Sequence, residues 1–425
     1  MNTVLLSSLV FLFALSVPVA VAIALAGVFG IVTASHLPLL VVPQKMFNGL
    51  DSFPLLAVPF FILAGNIMTH GGVSRRLVDF AKAMVGGMQG GLASACVITC
   101  MIFAAISGSS VATTFAVGAI LIPAMRRHGY PVPVAATIQV ASAELGVIIP
   151  PSVPMILFGV ATETSVRDMF IAGVGPGLLI GGSLILMVQI WCRIKGYGLE
   201  DGRDRSPLLK GLREALWALL LPVIVLGGIY GGVFTPTEAA AVSVVYALFI
   251  GMFVYREIRI TDLPMIFRSS ALSTGVIMLI ISAAALFSFL ISLSGLPHLI
   301  GEWTRATFET HLSFLLFINA LLFVVGMFLE TSAAILVLAP ILTPLAIAFG
   351  VDPVHFGIIM IVNLAMGMIT PPLGVNLFAA AQVARIPIES MFRSLVWPVL
   401  TVVSALMIIT YIPEVSLWLR DISFS

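Results

Sequence analysis

Long apolar runs constrain the fold of this chain more than any other feature of its sequence. An α-helix needs about 20 apolar residues to cross the roughly 30 Å hydrocarbon core of a bilayer. Such runs lie near residues 4–33, 53–69, 132–162, 168–192, 214–233, 237–255, 268–293, 354–384 and 391–413. We therefore predict nine membrane spans. The first is expected to be a retained span rather than a signal peptide, because no basic residue precedes it.

The composition agrees with a protein that lives in lipid. Hydrophobic residues make up 60% of the 425 residues and charged residues only 9%, whereas about a quarter of a soluble domain is charged. The 20 Lys and Arg balance 19 Asp and Glu, so nothing favours binding to a nucleic-acid backbone. Cys96, Cys100 and Cys192 lie in apolar stretches without a neighbouring histidine, and we interpret them as packed thiols.

Two further apolar segments are interrupted near their middle by small polar residues. The run at 85–125 contains Ser107-Gly-Ser-Ser110, and the run at 313–349 contains Glu330-Thr-Ser332. Irregular backbone at membrane depth persists only inside protein or against a wet cavity. We therefore predict two re-entrant helical hairpins rather than two further spans.

The basic residues are unevenly divided between the two sides of this layout. If the N-terminus is cytoplasmic and each hairpin returns to its own side, 16 of the 20 Lys and Arg face the cytoplasm. The other four are Lys45, Arg167, Arg305 and Arg420. Cytoplasmic loops carry an excess of positive charge, so this division supports the hairpins and places the C-terminus outside. The hydrophilic stretch 197–213 is predicted to be a cytoplasmic connector between two halves.

The two halves repeat each other at a shift of 221 positions. The shift aligns Gly146 with Gly367 and the Pro150-Pro151 pair with Pro371-Pro372. With the hairpins opening from opposite sides, the halves are inverted relative to each other. We predict an all-α polytopic fold of two inverted repeats, each with a re-entrant hairpin and a proline-broken transmembrane helix, an architecture typical of secondary transporters.

The broken helices are the candidate sites. A proline pair removes two backbone donors and frees carbonyl oxygens near mid-membrane. Free carbonyls beside a hydroxyl such as Thr370 form a hard oxygen cage that suits Na⁺, and each hairpin tip supplies the facing half. The second arm of each hairpin points a positive helix N-terminus at the centre, which suits a carboxylate substrate. The simpler alternative is that the prolines are kinks and the serines are helix caps.

Two acidic residues, Glu144 and Glu330, lie in apolar surroundings, where an ionisable group is a functional candidate. Glu330 is at a hairpin tip, where it would lie beside a cation or a coupling proton. Thr235-Pro-Thr-Glu238 has the pattern of a helix capping box. No pairing of a histidine with a nucleophile or metal ligands is visible, so we expect no enzyme.

Several motifs resemble one family over the whole chain. They are the Ser107-Gly-Ser-Ser tip, Gly146-Val-Ile-Ile-Pro-Pro-Ser152, Phe234-Thr-Pro-Thr-Glu-Ala-Ala-Ala241 and Thr370-Pro-Pro-Leu-Gly-Val-Asn376. The chain is similar to the large membrane subunit of tripartite ATP-independent periplasmic (TRAP) transporters. The resemblance implies a bacterial inner-membrane permease that imports a carboxylate, such as a C4-dicarboxylate or a sialic acid, with a Na⁺ gradient and an elevator motion. In such a membrane the C-terminus, which the charge division places outside, would be periplasmic.

The resemblance further implies a division into moving and fixed parts. Transport-domain segments are expected at 85–162 and 313–385, and scaffold helices at 1–84, 163–312 and 386–425. Two partners are expected: a small four-helix membrane subunit on a separate polypeptide, and a periplasmic binding protein that delivers the substrate.

The resemblance also implies the ligands of two Na⁺ sites. One would use Ser107, Ser109, Gly146, Ile149 and Pro151, largely through backbone oxygens. The second would use Gly326, Glu330, Gly367 and Thr370. The substrate would meet Ser110, Thr331 and Asn376.

Three alternatives stay open from the sequence. A stand-alone Na⁺- or H⁺-coupled carboxylate symporter would share the hairpins and need no binding protein. An ion channel would need an open pore. A membrane enzyme is the weakest, for want of a His, Asp or Cys cluster at membrane depth.

Overall fold

The computed structural model describes residues 1–35, 37–85, 87–199, 201 and 207–423, and within these ranges the chain is helical with no β-strand. Seven of the described helices are long and apolar enough to cross a membrane, and a bent pair makes eight. The three cysteines are free and buried.

The first apolar run is not one span. It forms two helices, α1 (Asn2–Ala14) and α2 (Val19–Ala34), that fold back on each other. The close packing is seen at Gly30 near the end of α2, where an added Cβ would lie 2.5 Å from the side chain of Leu5 near the start of α1. Pro18 fixes the backbone before α2 and ends the helical path. The predicted single span at 4–33 is therefore wrong. Two antiparallel helices return the chain to the side on which it began. The prediction of a cytoplasmic N-terminus assumed a single first span, so that argument no longer holds.

The next helices include two elements that the apolar runs did not predict. α3 covers Val41–Asn48, and α4 (Ala57–His70) confirms the predicted span at 53–69. α5 (Val73–Val85) is amphipathic, with Leu77 and Val78 buried. A search for continuous apolar runs misses such a helix, because its apolar residues recur at helical spacing.

The first interrupted segment forms a helical hairpin, and its re-entrance into the membrane stays a prediction. α6 (Gly91–Ser107) and α7 (Ser110–Arg127) meet at a two-residue tip. Their far ends converge on Asp201, whose carboxylate accepts hydrogen bonds from the Leu92 N–H at 3.0 Å and the Tyr130 hydroxyl at 2.7 Å. Asp201 belongs to the predicted connector 197–213, of which residues 200 and 202–206 lie outside the described part.

The first broken helix follows. α8 (Val132–Ala143) and the short α9 (Leu145–Ile148) lead to a break at the proline pair, and α10 (Val153–Ala161) continues. The axis bends by 42° across the break. α11 (Val166–Lys195) is a continuous helix of 30 residues.

The middle of the chain agrees with the predicted spans. α12 covers Leu208–Tyr230, α13 covers Pro236–Phe249 with a following π turn, and α14 covers Leu263–Leu293. The predicted capping box opens α13: the Thr235 side chain accepts from the Glu238 N–H, and the Glu238 carboxylate accepts from the Thr235 N–H at 2.8 Å.

The second half contains a second hairpin and a second broken helix. Its helices are α15 (Leu296–Thr307), α16 (His311–Gly326), α17 (Thr331–Ala348), α18 (Pro353–Gly367), α19 (Val375–Ala384), α20 (Phe392–Tyr411) and α21 (Glu414–Ser423). Phe314 near the start of α16 stacks on Phe349 just after α17, with ring centroids 4.4 Å apart. This contact between the two ends shows that α16 and α17 form a helical hairpin.

Helix bounds repeat at the predicted offset. Adding 221 to the bounds of α7 gives those of α17, and adding it to the first residue of α8 gives that of α18. The amphipathic α5 and α15 also correspond within a few residues. Both proline pairs have a cis peptide bond.

Packing divides most of the helices into two groups, and α5 contacts both, since it packs on α6 and α7 as well as on α12. α11 packs against α6, α10, α18 and α20, so it lies with the hairpins and the broken helices. α4, α13 and α14 pack together, α2 and α3 lie on α14, and α12 lies on α5 and α13. The division into moving and fixed segments, which places 163–312 and 386–425 in the scaffold, stays a prediction.

Candidate functional site

The tip of the first hairpin is shaped by a glycine and two serines. Gly108 has φ +61°, which favours glycine. Ser109 is the N-cap of α7 and accepts from the Ala112 N–H at 3.4 Å. Thr113 Oγ1 donates to the Ser109 carbonyl at 2.7 Å and lies 3.1 Å from Ser107 Oγ. The tip therefore concentrates hydroxyl and carbonyl oxygens.

The first broken helix presses its irregular turn against this tip. A Cβ added to Gly146 would lie 2.8 Å from both the Ser109 carbonyl oxygen and Thr113 Oγ1, and one added to Gly108 would lie 2.9 Å from the Pro151 carbonyl oxygen. Four of the five predicted ligands, Ser107, Ser109, Gly146 and Pro151, thus lie together.

The fifth predicted ligand, Ile149, directs its side chain away from the tip. It packs on α11, where a Cβ at Gly177 would lie 2.5 Å from Ile149 Cγ1. Any contribution of this residue to an ion site would come from its backbone. Thr113 was missed by sequence reasoning, although it follows Ser109 by one helical turn and so faces the same tip.

The second hairpin meets its broken helix through two glycines. A Cβ at Gly367 would lie 2.3 Å from the Gly326 carbonyl carbon, so the two backbones are in contact. Gly374 N–H donates to the Met327 carbonyl at 3.1 Å. Thr370 is at the same break, and its hydroxyl donates to the Met366 carbonyl at 2.9 Å.

Glu330 faces its own helix rather than this break. Its carboxylate accepts from Ser332 N–H at 2.9 Å, Ser332 Oγ at 2.9 Å and Ala333 N–H at 3.2 Å. Glu330 is therefore the N-cap of α17, as Ser109 is of α7. A shift of 221 aligns these two residues, so one repeat caps its arm with a neutral hydroxyl and the other with a carboxylate.

Asn376 joins the second repeat to the first. Its side-chain amide nitrogen donates to Ser110 Oγ at 2.8 Å and to the Glu144 carboxylate. Two predicted substrate residues, Ser110 and Asn376, thus contact each other, with Glu144 as their partner. The third, Thr331, directs its hydroxyl to the Met368 sulfur at 2.9 Å.

A cavity of about 160 Å³ lies where the two tips approach the other group of helices. Ser109 and Ser110 line it from the first tip, and Glu330 and Ser332 from the second. Asn66 of α4 closes the far wall together with Ser273 of α14. Neither of these far-wall residues was predicted from the sequence. Asn66 could have been found from the sequence, because it is a lone asparagine in the apolar α4.

The electrostatics of the cavity are asymmetric. The N-terminal amides of a helix carry partial positive charge and attract anions. At α17 the Glu330 carboxylate already occupies this position, whereas at α7 only the neutral Ser109 hydroxyl does. The α7 end is therefore the better place for an anion. Among the described residues, no group of three or more His, Cys, Asp and Glu side chains could hold a metal ion.

These features define a polytopic helical membrane transporter built from two hairpin and broken-helix units. Residues 6–415 match the sequence family described as the tripartite ATP-independent periplasmic transporter, DctM component. The chain belongs to this family, as the sequence motifs predicted. It is thus a multi-pass transporter permease component and not an enzyme.

Relatives agree over nearly the full chain. A C4-dicarboxylate TRAP transporter large permease protein of Rhodobacter capsulatus is 41% identical over 420 residues, which is 95% of each chain. The sialic acid TRAP transporter large permease protein of Vibrio cholerae is 37% identical over 89% of each chain. An isethionate TRAP transporter permease protein of Oleidesulfovibrio alaskensis is 42% identical over 95% of this chain, but that match covers only 64% of the longer relative.

One solved structure supports the fold. The YdaH transporter of Alcanivorax borkumensis superimposes with a TM-score of 0.66 over 87% of each chain. Sequence identity is only 16%, so this likeness concerns the fold alone.

Proposed function

We propose that this chain imports a small organic anion across the bacterial inner membrane, driven by Na⁺, as the large permease subunit of a tripartite system. One observation carries the proposal: two oxygen-rich hairpin tips meet at one cavity, and the uncompensated N-terminus of α7 faces it. Sodium needs hard oxygen ligands, and an anion is stabilised at a helix N-terminus.

The first Na⁺ binds at the first tip. Its ligands are the oxygens of Ser107, Ser109, Gly146 and Pro151, with Thr113 Oγ1 close by. The second Na⁺ binds near the contact of Gly326 with Gly367, where Thr370 lies at the break. Glu330 contributes a nearby negative charge that favours cations at both tips.

The substrate binds at the α7 end of the cavity. Ser109 and Ser110 line that end, and Asn66 and Ser273 supply polar groups from the opposite helices. The substrates in the names of the relatives, C4-dicarboxylate, sialic acid and isethionate, are all small acids, which supports an anion as cargo. Asn376 acts indirectly, because both of its N–H groups are directed at Ser110 and Glu144.

The two packing groups have separate roles in the transport step. The hairpins and broken helices, together with α11 and α20, form the moving part. α4, α12, α13 and α14 form the fixed part. Since the cavity lies between the groups, sliding one past the other would expose it to each side in turn.

The orientation follows from charge. With the basic loops cytoplasmic, the antiparallel pair α1 and α2 places Met1 on the periplasmic side, and the C-terminal α21 lies there too. Two partners complete the system: a periplasmic binding protein and a small four-helix membrane subunit. The extra length of the isethionate relative supports a second membrane component.

The test is uptake into proteoliposomes. The chain is reconstituted with and without the small subunit and the binding protein, and radiolabelled C4-dicarboxylate and sialic acid are offered with an inward Na⁺ gradient. Uptake that requires Na⁺ and both partners supports the proposal. Na⁺-driven uptake by this chain alone would instead favour a stand-alone symporter.

A further inference from the structure

A groove runs between α11 and α20 and shares no lining residue with the cavity at the tips. It holds about 390 Å³ and is lined by apolar side chains, among them Ile190 of α11 and Ile408 of α20. Leu186 and Trp397 also line it, and 63% and 54% of their surfaces are exposed. Since both helices are long enough to cross a membrane, this surface contacts lipid.

One end of the groove is positively charged. Lys195, the last residue of α11, lines the groove. Arg393 lies one helical turn before Trp397 on α20 and therefore on the same face. Both side chains are exposed, and among the described residues neither forms an ion pair. Each helix thus brings one cation to the same end.

Tryptophans lie between the apolar stretch and the charges. Trp191 and Trp397 both line the groove near Lys195. Tryptophan is enriched at the boundary between hydrocarbon and headgroups, and lysine side chains extend to that level. From Ile408 to Lys195 the lining therefore changes from apolar to aromatic to cationic. A phospholipid changes in the same order, from its acyl chain through its glycerol backbone to its phosphate.

We propose that this groove binds an anionic phospholipid, with an acyl chain between α11 and α20 and the phosphate against Lys195 and Arg393. The charged end favours a lipid over an apolar protein helix, since a phosphate group complements Lys195 and Arg393. The bound lipid contacts the helices that pack on the hairpins, so it would move with them. This site does not depend on which substrate is carried.

The first test measures lipid affinity on the purified full chain in detergent. Native mass spectrometry reports retention of phosphatidylglycerol, an anionic lipid, and of phosphatidylcholine, which has no net charge. Wild type should retain phosphatidylglycerol preferentially. The double variant Lys195→Gln/Arg393→Gln should bind it about tenfold more weakly, because each basic residue near the surface contributes to the attraction of anionic lipid.

The matched control removes two basic residues from the other helix group. Lys210→Gln/Arg213→Gln changes α12 and should leave retention at the wild-type level. Equal retention of both lipids by wild type, or equal losses in the control and the groove variant, would overturn the proposal.

A second variant tests the groove without changing charge. Ser404 lines it, and Ser404→Phe should fill it, so that bound phosphatidylglycerol is lost while Lys195 and Arg393 remain. Unchanged lipid retention in this variant would contradict the site. Displacement of the lipid by added small subunit would also contradict it, since the groove would then be a protein interface. Neither result depends on uptake, so the lipid site and the transport function can fail separately.

Discussion

At the residue scale, the pair Ser109 and Glu330 explains how two similar units differ. Both residues cap the second arm of a hairpin, and a shift of 221 aligns them. Glu330 is recognisable as a candidate from the sequence because a carboxylate in an apolar run is costly. The three hydrogen bonds that α17 donates to this carboxylate were not predicted. The charge therefore has a structural role as well as the proposed electrostatic one.

Replacing Glu330 by the residue of the other repeat separates these roles. Glu330→Ser retains a capping hydroxyl but removes the charge, whereas Glu330→Ala removes both. We expect Glu330→Ala to lower stability by about 1 kcal/mol and Glu330→Ser to remain near wild type in thermal unfolding. In uptake assays both should require several-fold more Na⁺ for half-maximal rate.

The control for this pair is Glu302→Ser, on the exposed surface of α15, which should change neither property. A Glu330→Ser transporter with the Na⁺ dependence of wild type would mean that the charge has no part in ion binding.

Gly146 gives a second prediction at this scale. A methyl group there would lie under 3 Å from the Ser109 carbonyl oxygen, so Gly146→Ala should push the first tip away from its broken helix. Such overpacking costs about 1 to 3 kcal/mol, and we expect about a tenfold loss of Na⁺ affinity in a Na⁺-dependent thermal shift assay. Gly182→Ala is the matched control, because a Cβ there has no neighbour within 4 Å. Similar losses in both variants would count against the site.

At the element scale, the sequence predicted those helices whose interruptions carry a strong local signal. The proline pairs at 150–151 and 371–372 cannot continue a helix, so both breaks are where we expected them. The turn before Pro18 lies in an unbroken apolar run, and its single proline was too weak a signal to divide the run. The amphipathic α5 and α15 were missed because their apolar residues are not contiguous.

Asp201 provides a prediction about one element. Its carboxylate accepts the Leu92 N–H at the start of α6, where the N-cap residue, Gly90, has no side chain to do so. Asp201→Ala leaves that donor and the Tyr130 hydroxyl without this partner, which costs about 1 to 3 kcal/mol. Hydrogen exchange at residues 91–94 should become faster, and Asp79→Ala on the exposed face of α5 should not affect it. Unchanged exchange would show that the connector does not hold the hairpin base.

At the scale of the whole molecule, the cavity depends on contacts that no local pattern encodes. Ser109 and Glu330 were predictable from their hairpins. Asn66 and Ser273 come from helices far away in sequence, and only the packing of the two groups brings them to the same wall. The same packing places α11 with the hairpins, although its uninterrupted apolar sequence resembles that of any other span.

The orientation of the chain is testable at this scale. With α1 and α2 antiparallel, Asn2 and Lys210 should lie on opposite sides of the membrane. A membrane-impermeant maleimide added to intact spheroplasts should label Asn2→Cys and should label Lys210→Cys only after lysis. The native cysteines are buried, which keeps the background low. Protection of Asn2→Cys until lysis would restore a cytoplasmic N-terminus.

In the proposed mechanism the organic anion and Na⁺ cross together through the paired tips. Entry of ²²Na⁺ into proteoliposomes that contain the complete tripartite system, with and without the transported acid, measures this coupling directly. We expect the acid to stimulate Na⁺ entry in wild type and Gly146→Ala to reduce both fluxes together. Uptake of the acid without any Na⁺ entry would contradict this mechanism.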